Sequence, residues 1–289
     1  MATPFTNVAT LNYNGGQIRS NIAVGMIEGI LSVSKYAVNE TYGEGDTLTY
    51  VVSIVNNSDA AITGLTVTDD LGAYAFGTGT VQPLTYVPES LQYYTDGVLQ
   101  PDPAVQSDSG LVLSGISVPA DGNATIVYSA TVNGFAPLET GASITNTVTV
   151  DSPTVTAVTA EESVAVTNAA QLSIVKSVSP IPVPENGELT YTFQLLNSGN
   201  TAVLDTENAT VTDTFDPVLT DISVTLDGTA LVEGVDYTYD EQTGEFATAN
   251  GVIAIPAATY TQDETTGEWS MTPGSVTLTV TGRISAPTT

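Results

Sequence analysis

The 289-residue sequence contains neither cysteine nor histidine. Without cysteine there is no disulfide, no thiolate metal site and no thiol nucleophile. Without histidine there is no Ser-His-Asp triad, no common zinc site and no usual general base. Lysine and arginine number 4 against 32 acidic residues, a formal net charge of −28. That field repels nucleic acid and anionic lipid, so no nucleic-acid partner is expected. No apolar run approaches the ~20 residues of a membrane span. The most apolar stretch, Ile22 to Val33, is broken by Gly25, Glu28 and Gly29, and no membrane insertion is expected. MATPFTNVATLNY at the start carries no basic segment followed by an apolar one, so a secretory leader is not apparent. GRISAPTT at the end carries no lipidation signal. These absences argue against an ordinary enzyme, and no cofactor or metal is called for. What remains is 42% hydrophobic and 12% charged, enough apolar material for packed cores, in a chain long enough for about two domains.

The pattern is all-β. TLTYVVSIVN (47–56), GLTVTDD (64–70), GLVLSGISV (110–118), NATIVYSATV (123–132) and SVTLTVTGRI (275–284) alternate apolar and polar residues, as half-buried strands do. Asp96-Gly97, Asp121-Gly122 and Asp227-Gly228 supply turns between them. Many short strands so punctuated predict Ig-like β-sandwiches.

The chain also repeats itself. LSVSK (31–35) returns as LSIVK (172–176), GDTLTYVVSIVNNS (45–58) as NGELTYTFQLLNSG (186–199), and TVTDD (66–70) as TVTDT (210–214). Strand 123–132 returns at 275–284. The first copy continues into a closing strand, SITNTVTV (143–150), whereas the second reaches Thr289 soon after its penultimate strand. A match to the closing strand stands at the other end: FTNVATL (5–11) follows the pattern of ITNTVTV (144–150) with the asparagine in register. Asn7 precedes Lys35 by 28 residues and Asn146 precedes Lys176 by 30. The N-terminal segment therefore reads either as the tail of a preceding module or as an ordinary first strand of the first.

Each module places polar residues on an apolar face. Strand side chains alternate between faces, so Lys35 shares a face with Leu31 and Val33, and Lys176 with Leu172 and Ile174. Asp69 is in phase with Leu65 and Val67, and Asp213 with Ala209 and Val211. A β-bulge would exchange Asp69 for Asp70. Asn146 lies in phase with Ile144, Val148 and Val150, and Asn7 with Phe5, Ala9 and Leu11. Buried charges must be paired or neutralised. A Lys–Asp salt bridge accounts for two residues of each set but not for the asparagine. A spontaneous isopeptide bond accounts for all three. An apolar site favours a neutral nucleophilic amine and a neutral acid; the acid polarises the Asn carbonyl and shuttles protons, and the amine displaces ammonia.

The pattern LxxxK … GxxLTYxxxxxN … TVTD … ITNTxTV resembles the conserved-repeat, Ig-like stalk domains of Gram-positive and related bacterial surface proteins. Its logic is similar to that of the collagen-adhesin-type domains with Lys–Asn isopeptide bonds promoted by an acidic residue. The resemblance spans both modules. It implies one bond between Lys35 and Asn146 promoted by Asp69, and another at Lys176 promoted by Asp213. The ATPFTN-type opening also resembles short surface proteins of clostridia-like bacteria.

A sandwich lacking its last strand exposes a groove and unpaired edges, which a strand from another chain can fill. The expected organisation is a donor strand (1–14) ending in the turn NGGQ (14–17), a flexible connector (15–30), a complete Ig-like domain (31–167) and an incomplete one (168–289). Phe5, Asn7, Ala9 and Leu11 would form the donor face, with Asn7 reaching Lys176 and Asp213 of a neighbouring subunit. Heterologous head-to-tail contacts that do not close give a filament. The sequence therefore predicts a self-assembling homopolymer on a bacterial cell or spore surface, with no chemistry beyond single-turnover crosslinking. The alternative is a monomeric surface module with both bonds inside one chain. Acidic clusters such as Asp69-Asp70 and YTQDE (260–264) raise calcium binding, but no D-x-D-x-D-G loop is present. No carboxylate pair stands out for glycoside hydrolysis. Trp269 and the tyrosines at 93, 94, 237 and 239 read as cross-strand packing rather than a ligand surface.

Overall fold

Alternating Val, Thr, Ile and Tyr favour extended backbone because branched and aromatic side chains pack well on a pleated surface. In the computed structural model, which describes residues 3–14, 16–27 and 29–284, that preference produces an all-β protein. The chain divides into two compact units, Met1–Ala136 with Ser143–Ala165, and Pro137–Ala142 with Val166–Thr289.

The first unit begins with an arm. Strands β1 (Thr3–Asn7), β2 (Thr10–Tyr13), β3 (Gly16–Arg19) and β4 (Ala23–Ile27) form one long hairpin in which β1 pairs with β4 and β2 with β3. The segment 15–30, read from the sequence as a flexible connector, instead supplies this hairpin's return limb through β3 and β4. The physical reason is that a lone strand leaves its backbone groups unpaired, and β3 and β4 come back to meet them. Phe5, Val8, Leu11, Tyr13, Ile18, Ile22 and Val24 on this arm are all exposed.

Beyond the arm come β5 (Leu31–Ala37), β6 (Thr41–Tyr42), β7 (Thr47–Asn56), β8 (Ile62–Asp69), β9 (Tyr74–Phe76), β10 (Gly79–Val81), β11 (Leu84–Tyr86), β12 (Gln92–Thr95), β13 (Val98–Leu99), β14 (Ala104–Gln106), β15 (Leu111–Val118), β16 (Asn123–Val132), β17 (Ser143–Ser152) and β18 (Val155–Val166). One sheet runs β13-β12-β16-β7-β5, with β11 also on β16; the other runs β14-β15-β8-β17-β18-β6. Their inward side chains, including Leu48, Ile54, Leu65, Ile116, Ile126 and Val148, are buried. Asp96 and Gly97 both take positive φ, 46° and 78°, the geometry a two-residue hairpin turn requires.

The second unit contains β19 (Leu172–Ser179), β20 (Glu188–Asn197), β21 (Thr212–Thr214), β22 (Leu219–Leu226), β23 (Thr229–Ala230), β24 (Tyr237–Tyr239), β25 (Glu245–Thr248), β26 (Thr259–Gln262), β27 (Trp269–Thr272) and β28 (Gly274–Ile284). Its larger sheet runs β19-β20-β28-β22-β23 and its smaller one β21-β25-β24. By the sequence repeat, β21 answers to β8 and, through its pairing with β21, β25 answers to β15. The smaller sheet thus matches half of the six-stranded sheet of the first unit. Among the described residues, no strand pairs with β21 on the side away from β25, where the first unit has β17 and then β18.

Candidate functional site

Lys35 lies on β5 opposite Val52, in phase with Leu31, and is 2% exposed. Asp69 ends β8 between Leu111 of β15 and Val148 of β17. Asn146 sits two residues before Val148, so the end of β8 and the start of β17 bring the carboxylate and the carboxamide together. Asp70, the next residue, takes a different part. Its backbone N–H donates to the Thr147 carbonyl at 3.0 Å, and its Oδ1 accepts from Thr147 N–H at 2.9 Å and Gly72 N–H at 2.9 Å. Asp70 therefore pins β17 against the turn while Asp69 points inward.

A chain of hydrogen bonds links the buried groups. Lys35 Nζ donates to Asp69 Oδ2 at 2.6 Å, and the Tyr128 hydroxyl donates to the same oxygen at 2.6 Å. Asn146 Nδ2 donates to the Tyr128 oxygen at 3.1 Å. Leu71 N–H donates to Asp69 Oδ1 at 3.0 Å, and Gly72 N–H donates to Asn146 Oδ1 at 3.2 Å. Asp69, Asn146 and Tyr128 are as buried as the lysine. The Lys35 ammonium also lies 4.9 Å from the centre of the Tyr50 ring, which stacks on Tyr128 at 5.6 Å. The Tyr50 hydroxyl sits beside the Asn146 amide without a hydrogen bond of ordinary geometry among the described residues.

Burial governs the electrostatics. It pushes the Lys35 ammonium below the usual lysine range, against the opposing pull of Asp69. It pushes the Tyr128 phenol well up, with the Asp69 charge adding to the effect, and raises Tyr50 as well. The site thus brings together an amine biased towards its neutral form, a carboxyl group in hydrogen-bond contact with it, and a carboxamide whose oxygen receives a backbone N–H. Nucleophilic attack on an amide places negative charge on that oxygen, where such a donor counts most.

The second unit holds a partial copy. Lys176 Nζ bonds to Asp213 Oδ2, and the lysine lies 4.5 Å from the Tyr191 ring centre, matching Lys35 over Tyr50. The surroundings differ. The Lys176 and Asp213 side chains are 40% and 18% exposed. Leu172 is 53% exposed where its counterpart Leu31 is 5% exposed, and Ile174 is likewise open. Tyr191 faces Val280 across the ladder where Tyr50 faces Tyr128, so no phenol stands at that place. Asn7 is exposed on the arm, as are Phe5, Ala9 and Leu11.

No protein-family model and no curated protein matches the chain. Several solved structures do. The pilus backbone protein of Streptococcus pneumoniae is 14% identical, with 84% of this chain and 55% of that one covered, at a TM-score of 0.34. The major pilin of Bacillus cereus is 11% identical over 88% of this chain and 66% of its own, at 0.36. The collagen-binding subdomain of the Enterococcus faecalis surface protein ACE is 13% identical over 49% and 99%, at 0.29. Two are pilins and one is a collagen-binding domain. This chain spans little more than half the length of the first pilin and about two thirds of the second.

Sequence reasoning missed Tyr128, Tyr50 and the Gly72 donor. A signal for Tyr128 was present, since it shares the inward phase of Ile126 and Ala130 on β16 and a buried phenol needs a polar partner. The Gly72 N–H carries no side-chain signature. The acidic segment 260–264 runs from β26 into the β26–β27 turn, where Asp263 Oδ1 accepts from the Thr265 and Thr266 N–H groups. No group of three or more acidic residues is arranged to hold a metal ion among the described residues. Tyr93 and Tyr237 are buried in their units, and Tyr237 packs on Phe246 at 5.7 Å.

Proposed function

We propose that the chain is a structural subunit of an extracellular bacterial filament, a cell-surface or spore appendage, assembled head to tail and sealed by Lys–Asn isopeptide bonds. The observation that carries this reading is the inequality of two copies of one site. The first is buried and complete with Lys35, Asp69, Tyr128 and Asn146; the second has an exposed Lys176–Asp213 pair beside an unpaired sheet edge, and an exposed strand elsewhere bears Asn7.

In the first unit, Asp69 takes a proton from Lys35, and Nζ attacks Cγ of Asn146. The new C–N bond forms as the bond from Cγ to Nδ2 breaks. Asp69, with Tyr128 between it and the amide nitrogen, delivers that proton to the leaving group, which departs as ammonia, and takes up the second proton that Nζ sheds on becoming an amide nitrogen, so the carboxyl group ends neutral. No oxidant, metal or second substrate enters the balance. Fixed geometry supplies the effective concentration that loose side chains lack.

In the second unit the reaction waits for an asparagine. Donor-strand complementation from a neighbouring chain provides it. Aligning Asn7 with Asn146 sets Ala9 opposite Asp213 and Leu11 opposite Val211, as Val148 and Val150 stand opposite Asp69 and Val67 in the first unit. Burying the half-exposed Phe5, Leu11, Leu172 and Ile174 would contribute about 1 kcal/mol each, roughly half of the full-burial value, to be set against the entropic cost of association.

A boiled denaturing gel with intact mass on each band tests the reading. A ladder of multimers short of one ammonia per bond is expected, and Lys176→Ala should reduce it to monomer that keeps the deficit of the Lys35 bond. A monomer lacking two ammonias would place both bonds within one chain, and a monomer of full mass would overturn the crosslinking chemistry.

A further inference from the structure

The arm is more than a strand. Both limbs of its hairpin correspond to the β17–β18 hairpin that closes the first unit, with matching pairs at the two ends and a one-residue offset between them, where Thr10↔Arg19 and Leu11↔Ile18 answer to Thr149↔Thr159 and Val150↔Val158. Shifted by 139 residues, the pairs Phe5↔Gly25, Thr6↔Val24 and Asn7↔Ala23 fall on Ile144↔Val164, Thr145↔Ser163 and Asn146↔Glu162. The closing pair Tyr13↔Gly16 falls on Ser152↔Val155 under the same shift. Each hairpin also carries a one-residue slip in register, between Asn7 and Thr10 in the arm and between Val150 and Ser152 in the first unit. The likeness of residues 5–11 to the closing strand therefore extends, in backbone pairing, to the return limb at residues 23–25 and at the closing turn.

The second unit lacks counterparts of both strands among its described residues, since its smaller sheet stops at β21. In the first unit β18 covers the outer edge of β17 and sets Glu162 across from Asn146; the arm has Ala23 there, so its return limb would bring the strand without the charge. Filling the place of β17 alone would leave the donated strand with its outer edge unpaired. A hairpin brings that partner with it. Its face also packs within itself. The Phe5 ring occupies the space a Gly25 side chain would need, 2.3 Å from the Cβ position, so a large residue beside none stands where the first unit has Ile144 beside Val164.

We infer that the element one chain donates to the next is the whole hairpin Thr3–Ile27, with β1–β2 taking the place of β17 and β3–β4 the place of β18. This rests on the filament reading above and specifies what enters the groove. The acceptor is the second unit of another copy. The donor arrives already paired, so docking orders two strands for little more than the conformational cost of placing one rigid element.

The full-length double variant Thr6→Cys, Val24→Cys tests it, because the native chain has no cysteine to compete. Thr6 and Val24 are directly opposed. Their counterparts Thr145 and Ser163 are exposed and within 2.7 Å of each other at their hydroxyls, so a disulfide there locks the hairpin and leaves its inward face unchanged. The expected result is the same boiled ladder whether the variant is oxidised or reduced. A ladder only on reduction would overturn the hairpin, since a strand would then have to leave β4 before entering. Loss in both states would also count against it, because the docked hairpin leaves positions 6 and 24 uncovered. A wild-type chain that never forms multimers would instead sink the filament reading itself.

Discussion

The Tyr128 hydroxyl stands between Asp69 and the Asn146 amide, so Tyr128→Phe removes a donor from the carboxyl group and an acceptor from the amide while keeping the stack on Tyr50. Bond formation in the first unit should slow by about 10²-fold, the lower end of what a positioned proton carrier contributes. Intact mass followed over time after refolding would show it, and an unchanged rate would leave Tyr128 as packing alone. Lys35→Met leaves Asp69 buried without its cation, a change that costs about 3–5 kcal/mol, to be read by denaturant titration against Asn146→Ala, which also cannot crosslink but keeps the ion pair. The same Asn146→Ala variant should reveal the lowered Lys35 pKa. Between that lowered value and the ordinary lysine value of about 10.4, the unfolded chain holds a proton the folded chain has lost, so rising pH favours folding. The trend reverses once unfolded tyrosines ionise near about pH 10, because buried Tyr50 and Tyr128 keep their protons and the folded state is then the one left protonated. Denaturation midpoints across this range, with and without Lys35, check both signs.

At the scale of elements, the turn after β8 controls the site as much as the strands do. Gly72 has a φ of 74°, and a Cβ there would lie 2.6 Å from Ile144 Cγ2. Gly72→Ala should destabilise the first unit by about 1–3 kcal/mol and slow crosslinking as well, because the displaced N–H is the one facing Asn146 Oδ1; thermal melts and mass would separate the two effects. Strand existence and phase were legible because they rest on alternation. TLTYVVSIVN and NATIVYSATV became β7 and β16 without adjustment, and Lys35, Asp69 and Asn146 met because each followed its strand's inward phase. Backbone donors and cross-strand partners were not legible in the same way. Gly72 acts through a peptide N–H that any sequence could supply, and Tyr128 only acquires its role once β16 lies opposite β7. The return limb of the arm was not legible because QIRSNIAVGMI shares little side-chain pattern with TAVTAEESVAV, although Ala23, Val24 and Gly25 pair with the arm's first strand at the offset of Glu162, Ser163 and Val164.

For the molecule as a whole, charge opposes assembly. Copies carrying −28 each repel at long range, and screening shortens that range to about 8 Å at physiological salt. Ladder formation should therefore accelerate between low and physiological salt, by about tenfold or more if encounter is limiting, while ladders already sealed should persist on return to low salt; a gel time course at two ionic strengths reads both. The inequality of the two lysine sites has a further consequence. If, as proposed, one closes during folding and the other only on encounter, every growing fibre would present a hairpin at one end and a groove at the other. Growth would then be polar, and irreversible once ammonia has left. A chain shortened by residues 1–27 could join at just one of those ends and would terminate it, so the ratio of shortened to full-length chains would set fibre length as a chain stopper does in a condensation polymer.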